Sequence, residues 1–178
     1  MSNDLTAIDW MRDGVNVRVV VETPRGSHYK YAYDSDAKAL GLHFMIARGL
    51  SWPYDFGFVP QTLCDDGDPA DMMLIMEEAV IPLATVNARL IGGFEMTKDG
   101  IRNDRLVACP LPMKGVAIET DRYQVLDDLP PDDIAQIEEF LQRYSEEQGH
   151  EIKIQRRYGP DEAKRYVKDG HQRWKKNR

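Results

Sequence analysis

Val15-Asn16-Val17-Arg18-Val19-Val20-Val21-Glu22 is the stretch on which the fold turns. Valines 15, 17, 19 and 21 recur at every second position, the period of a strand with one buried face, and β-branched side chains suit a pleated surface. Glu22 falls on the side opposite that row. Working outward, Tyr29, Tyr31 and Tyr33 alternate with Lys30 and Ala32, and after a turn at 34–38 a further strand runs through Leu40, Leu42 and Phe44. Residues 72–76, 86–96 and 106–109 read as further strands. Short strands in series with no helix between them fit a closed or partly closed barrel better than a parallel sheet, which needs crossovers. Past Pro130 and Pro131 the spacing becomes helical, through Ile134, Ile137, Phe140, Leu141 and Tyr144, with Gly149 beyond the end. A second, short helix is predicted over 160–168. The fold class is therefore α+β, mainly β, with helices flanking the strands at the C-terminal end.

The 178 residues fit one domain, 1–178, with room for a hydrophobic core. A 42% hydrophobic content excludes disorder as the main state. The net charge of −7 argues against a protein that holds nucleic acid through its phosphates, which takes clustered excess cations. Metal cations suit an acidic body better. Cys64 and Cys109 are too few for a disulfide framework, which points to a reducing compartment and by default the cytoplasm. The first fourteen residues mix Asp and Arg with no apolar core, and no apolar run approaches a membrane span, so neither secretion nor membrane insertion is expected. The last fifteen residues, 164–178, set Lys164, Arg165, Lys168, Arg173, Lys175, Lys176 and Arg178 against Asp169 alone, and read as a solvated, flexible basic tail.

The densest chemical signal is Asp65-Asp66-Gly67-Asp68-Pro69-Ala70-Asp71. Carboxylates this close raise one another's pKa unless cations neutralise them, and hard oxygen ligands at this density suit Mg²⁺ or another hard divalent ion. The plainer reading is a solvated acidic turn, since Asp and Gly are turn residues. A calcium loop fails: Asp66, Asp68 and Glu77 stand at its first, third and twelfth positions, but the sixth is Asp71 where Gly is needed, and the flanks are not helical.

Taken in order, the motifs resemble the soluble, family I inorganic pyrophosphatases. The resemblance covers residues 19–144. It rests on Val20-Val21-Glu22-Thr23-Pro24, Tyr29-Lys30-Tyr31, Trp52-Pro53 with Phe56-Gly57-Phe58, and above all Asp66-Gly67-Asp68-Pro69-Ala70-Asp71, which looks like that family's DGDPxD signature. Gly93-Phe94-Glu95-Met96-Thr97, Arg105-Leu106-Val107-Ala108 and Asp128-Leu129-Pro130 complete it. The resemblance implies a five-stranded OB-like barrel with flanking helices, in the cytoplasm, as a homo-oligomer that is hexameric in bacteria. It implies Mg²⁺, with Mn²⁺ as substitute, and pyrophosphate or another small phosphate compound as substrate. Carried over by position, Asp66 and Asp71 hold the activating metal and Asp68 takes a proton from the attacking water. Glu22 holds a metal arriving with substrate, and Lys30, Arg105 and Tyr144 clamp phosphate oxygens.

Several positions depart from the pattern. Two metal-binding carboxylates align onto Lys98 and Asn103, a phosphate-binding Arg onto His43, a Lys onto Ser145, a Tyr onto Phe56 and a Glu onto Ala32, while Arg105 stands for Lys. Asp99 and Asp104 lie one residue further along at the same spacing of five, and a one-residue shift would bring both in as ligands, though a shift in a strand also flips its faces. His43 remains a candidate phosphate contact. The alternative function is a catalytically inactive or altered-specificity protein on this fold that binds phosphate compounds or partner subunits. His28, His150 and His171 read as ordinary surface histidines, Trp52 and Phe56 as core, Tyr29, Tyr31 and Tyr33 as packing, and Cys109 as an inert buried thiol.

Overall fold

The computed structural model describes residues 4–11, 13–112 and 118–177. Its strands are β1 (Val17–Thr23), β2 (Tyr29–Asp34), β3 (Ala39–Met45), β4 (Asp55–Val59), β5 (Ala70–Leu74), β6 (Thr85–Lys98), β7 (Ile101–Arg102), β8 (Arg105–Pro110) and β9 (Ile152–Tyr158), and its helices are α1 (Pro131–Glu147) and α2 (Pro160–Lys176). Five strands hydrogen-bond in the order β1-β4-β5-β8-β6, and β6 pairs back onto β1, so the sheet closes into a ring. Only β5 and β8 are parallel; the other pairs of the ring are antiparallel. β7 and β9 extend β6 outward, and β2 with β3 forms a separate hairpin.

Closure buries both faces of the strands, and the two faces pack into two cores by simple alternation. Val17, Val19, Val21, Met72, Leu74, Leu106 and Ala108 meet Ala163, Tyr166 and Val167 of α2. Met73, Val107 and Cys109, one residue out of phase, join Trp52, Phe56 and Phe94 against Ile134, Ile137, Phe140 and Leu141 of α1. Each such side chain contributes about 1.5–3 kcal/mol on full burial. Gly57 in β4 admits no side chain, because a Cβ there would collide with the Val20 carbonyl across the β1–β4 ladder.

Three expectations need correction. Val15 lies outside β1 and is 58% exposed, because Asp13 accepts from the Val15 and Asn16 amides and turns the chain just before the strand. The second helix is not short: α2 runs to Lys176, and the basic segment from Lys164 onward is mostly part of it, with Arg178 outside the described residues. Asp161 and Glu162 in its first turn, and Arg173, Lys175 and Lys176 in its last, oppose the end charges of its dipole, which accounts for the basic composition. The helix also docks: the Arg173 guanidinium donates to the Leu63 carbonyl at 2.8 Å, and Gly170 lies against Thr62 and Leu63. His171, expected at the surface, is 8% exposed, 2.7 Å from the Gln61 carbonyl and stacked on Trp10 with centroids 4.5 Å apart. No helix among the described residues is long and apolar enough to cross a membrane.

Candidate active site

The acidic loop joins β4 to β5, and short-range hydrogen bonds shape it. The Cys64 amide donates to the Asp68 carbonyl at 2.7 Å, the Gly67 amide to the Cys64 carbonyl at 3.1 Å, and the Asp68 amide to the Asp66 carboxylate at 3.1 Å. Gly67 takes φ +91°, which a side chain would resist. Thr62 fastens the base by accepting from the Ala70 amide at 2.8 Å and donating to the Val59 carbonyl at 2.6 Å. Asp65 turns outward to Arg173 at 3.5 Å, so α2 braces the loop. Asp66, Asp68 and Asp71 instead face a cleft of ≈ 490 Å³, shared with Glu22, Lys30, His43, Lys98, Asn103, Arg105, Tyr144 and Ser145.

Glu22 reaches the cleft because it leaves β1 on the side opposite the valine row. It is 7% exposed, accepts the Tyr33 amide at 2.6 Å, and pairs with the Lys30 ammonium at 3.5 Å. That ammonium stands 3.9 Å from the centroid of the Phe56 ring and 5.3 Å from that of Trp52, so aromatic faces hold it as the carboxylate does. Burial pushes the Glu22 carboxyl up and the Lys30 ammonium down, each against the pull of its partner. Arg105, at the start of β8, crosses the cleft floor to Asp71 at 2.6 Å, and the same nitrogen also donates to the Asn103 side-chain oxygen. Tyr144, on the last full turn of α1, packs on Trp52 and Phe140, and burial pushes its hydroxyl up to about 12.

One wall belongs to the β6–β7 hairpin, and its register settles which residues enter. Lys98 pairs with Ile101 and Thr97 with Arg102 across a turn of only Asp99 and Gly100, both at positive φ. Phe94 pairs with Arg105 on the β6–β8 ladder in the same register, so no bulge intervenes between them. Lys98, Asn103 and Arg105 therefore share the cleft face. Asp99 and Asp104 do not enter it, which removes both as ligands in this arrangement. Asp99 sits in the turn, 2.6 Å from His150 and accepting the Glu151 amide at 2.9 Å. Asp104 points to the opposite face, 1% exposed, held by Arg102 at 2.8 Å and by the Tyr158 hydroxyl at 2.9 Å. The one-residue shift would turn Asp104 away from the Tyr158 hydroxyl that holds it.

Among the described residues, no three carboxylate, histidine or cysteine groups already converge on one point. The donors nevertheless fit a hard divalent cation. Burial raises the pKa of Asp66, and burial with the charge of Asp71 raises that of Asp68. The charge of Asp71 adds to the push of burial on both Asp66 and Asp68, and the donors are hard carboxylate oxygens. Asp66 and Asp71, with Glu22 opposite, are the residues that would hold the ion.

Sequence reasoning missed part of the lining. Tyr33 borders the cleft and gives its amide to Glu22, and Trp52 and Phe56 are core residues whose faces carry Lys30, beyond the packing roles expected. The Phe56-Gly57-Phe58 alternation beside Lys30 was the available signal. Thr6 and Trp174 close the rim from distant parts of the chain, and nothing local in the sequence marks them.

Residues 19–175 match the family described as inorganic pyrophosphatase. Soluble inorganic pyrophosphatase 2 of Chlamydomonas reinhardtii is 35% identical over 156 residues, 86% of this chain and 78% of that protein. Inorganic pyrophosphatase of Agrobacterium fabrum is 33% identical over 162 residues, 90% of each chain. The solved inorganic pyrophosphatase of Neisseria gonorrhoeae superposes with a TM-score of 0.88 at 30% identity, covering 97% of this chain and 99% of that one. That of Thermus thermophilus gives the same score and coverage at 25% identity.

Proposed function

Since the chain belongs to the inorganic pyrophosphatase family, we propose that it hydrolyses pyrophosphate to two phosphates in this cleft with Mg²⁺ as its cation, Mn²⁺ substituting. The observation that carries the reading is the convergence of Glu22, Lys30, Asp66, Asp68, Asp71, Arg105 and Tyr144, from β1, β2, the acidic loop, β5, β8 and α1, on one cleft. The Lys30 ammonium, the Arg105 guanidinium and the Tyr144 hydroxyl bind phosphate oxygens, and the desolvation that strains Lys30 strengthens its hold on an anion. Asp68 takes the proton of the attacking water, and its raised pKa makes it a stronger base than an ordinary aspartate. When bound, Mg²⁺ supplies neutralisation of the phosphate oxygens and a more acidic water. The enzyme works in the cytoplasm as a homo-oligomer, hexameric by family resemblance.

The test is phosphate release from pyrophosphate by the purified protein in Mg²⁺, with Asp68→Asn alongside to exclude a contaminating enzyme. Release by the wild type alone supports the reading; equal release by both sinks the assigned base. A second reading, a protein that binds phosphate compounds or partner subunits without turnover, is favoured by Lys98 and Asn103 on the cleft face. It predicts no release with Mg²⁺ or Mn²⁺ and saturable binding of inorganic phosphate.

A further inference from the structure

Charge in the cleft is divided between two walls. The acidic loop and β5 supply Asp66, Asp68 and Asp71, while the hairpin wall supplies Lys98, the neutral amide of Asn103 and Arg105, and no carboxylate. One nitrogen of Arg105 is engaged by Asp71 and Asn103. Lys98 is half-buried on the same face, and its charge reaches Asp68, where it opposes the upward push of burial and of Asp71. Strand pairing on both sides of the turn fixes its backbone, so this cation cannot dissociate. The carboxylates nearest to it in sequence are engaged elsewhere, Asp99 with His150, Glu95 with Arg156, and Asp104 with Arg102 and Tyr158.

We propose that Lys98 is a built-in cation of the reaction site, neutralising phosphate oxygens on the hairpin wall where a dissociable divalent cation would otherwise be needed, so that Mg²⁺ binds on the loop wall only. The proposal rests on the pyrophosphate reading above for its substrate, and on the cleft alone for its cations. A fixed positive charge repels an arriving divalent ion, and over roughly 6–10 Å in a water-like medium the effect is about three- to tenfold in affinity. The substrate, by contrast, gains a contact that needs no free metal.

Calorimetric titration of Mg²⁺ alone into the intact protein tests this without substrate. Lys98→Gln is expected to bind Mg²⁺ about three- to tenfold more tightly than the wild type, and Lys98→Glu to take up one further equivalent. Both substitutions lie on a half-buried strand end, and a thermal melt confirms folding; Lys98→Gln, which only removes the charge, keeps the test decisive where Lys98→Glu is unstable. Wild-type affinity in Lys98→Gln, or no added equivalent in a folded Lys98→Glu, overturns the proposal. In saturating Mg²⁺, the KM for pyrophosphate in Lys98→Gln should rise about tenfold with a smaller change in kcat. A wild type without turnover would defeat the pyrophosphate reading and leave the cation titration to decide on Lys98.

Discussion

Asp68 lines the loop wall of the cleft and Asp104 lies behind the hairpin wall, and the two carboxylates are treated in opposite ways. Asp104 is buried against Arg102, the Tyr158 hydroxyl and the Met96 amide, so every approach to its oxygens is taken by the chain itself. Asp68 has no such set: its neighbours are other carboxylates, and the cations within reach, Lys98, Arg105 and Lys30, lower its pKa less than burial and Asp71 raise it. A carboxylate that is satisfied internally holds the fold, whereas one left in excess is open to what arrives from outside. The two are 36 residues apart in sequence, and a count of acidic residues would not separate them.

Substitutions at the two sites should break in different currencies. Asp68→Asn is expected to cost about 10²- to 10⁴-fold in phosphate release, with no loss in melting temperature, since it removes a repelled charge. An Asp68→Asn protein that is both active and less stable would erase the distinction. Lys30→Ala should cost about 10²- to 10³-fold in the same assay, and a loss confined to KM would mean that Lys30 binds substrate and transition state alike. Asp104→Asn is expected to destabilise by about 2–3 kcal/mol in urea unfolding, below the roughly 3–5 kcal/mol of a fully buried pair because Arg102 is 40% exposed and can rehydrate. A change within experimental error there would show the Arg102–Asp104–Tyr158 cluster to be dispensable.

The smallest effect is on pH. Glu22, Asp66 and Asp68 have folded pKa values raised by burial, so protonation favours the folded protein. Their penalty is absent below the ordinary carboxylate pKa and fully present above the raised folded one. In EDTA the melting temperature should therefore climb modestly as pH falls from 7 toward 5. Asp99 and Glu162, lowered respectively by the Glu151 amide and by Arg156, act in the opposite sense, but only as pH falls through their own depressed values. The first window lies above each group's ordinary value and the second below it. A flat profile above pH 5 would show the cleft carboxylates to be already compensated, as Asp104 is.

Much of this was legible in the sequence, and what was not has identifiable causes. The valine row, the tyrosine strand and the α1 spacing gave elements close to those observed, because each carries an uninterrupted period. β4 was missed as a strand: Gly57 weakens its β signal, yet the gap it leaves is what lets β1 approach. β9 was missed because only Ile152, Ile154 and Tyr158 hold its apolar pattern, with charged residues between that pair with β6 partners. The full length of α2 was written at Ala163, Tyr166, Val167, Gly170 and His171, a stripe at intervals of three and four. Its second half uses a glycine and a histidine, which hydropathy does not count as core. The cleft residues from Glu22 to Arg105 followed from the motifs. The choice between Lys98 and Asp99 hung on the Asp99-Gly100 turn, whose residue pair is a hairpin signal that was passed over.

β6 hydrogen-bonds to β1, β7, β8 and β9, so one fourteen-residue strand is shared by the closed ring and by the wall that carries Lys98. Its amides have no partial opening available that spares the rest of the sheet, and they should exchange with deuterium only through unfolding of the whole molecule. The backbone that carries the wall of the cleft is thus tied to the stability of the ring itself.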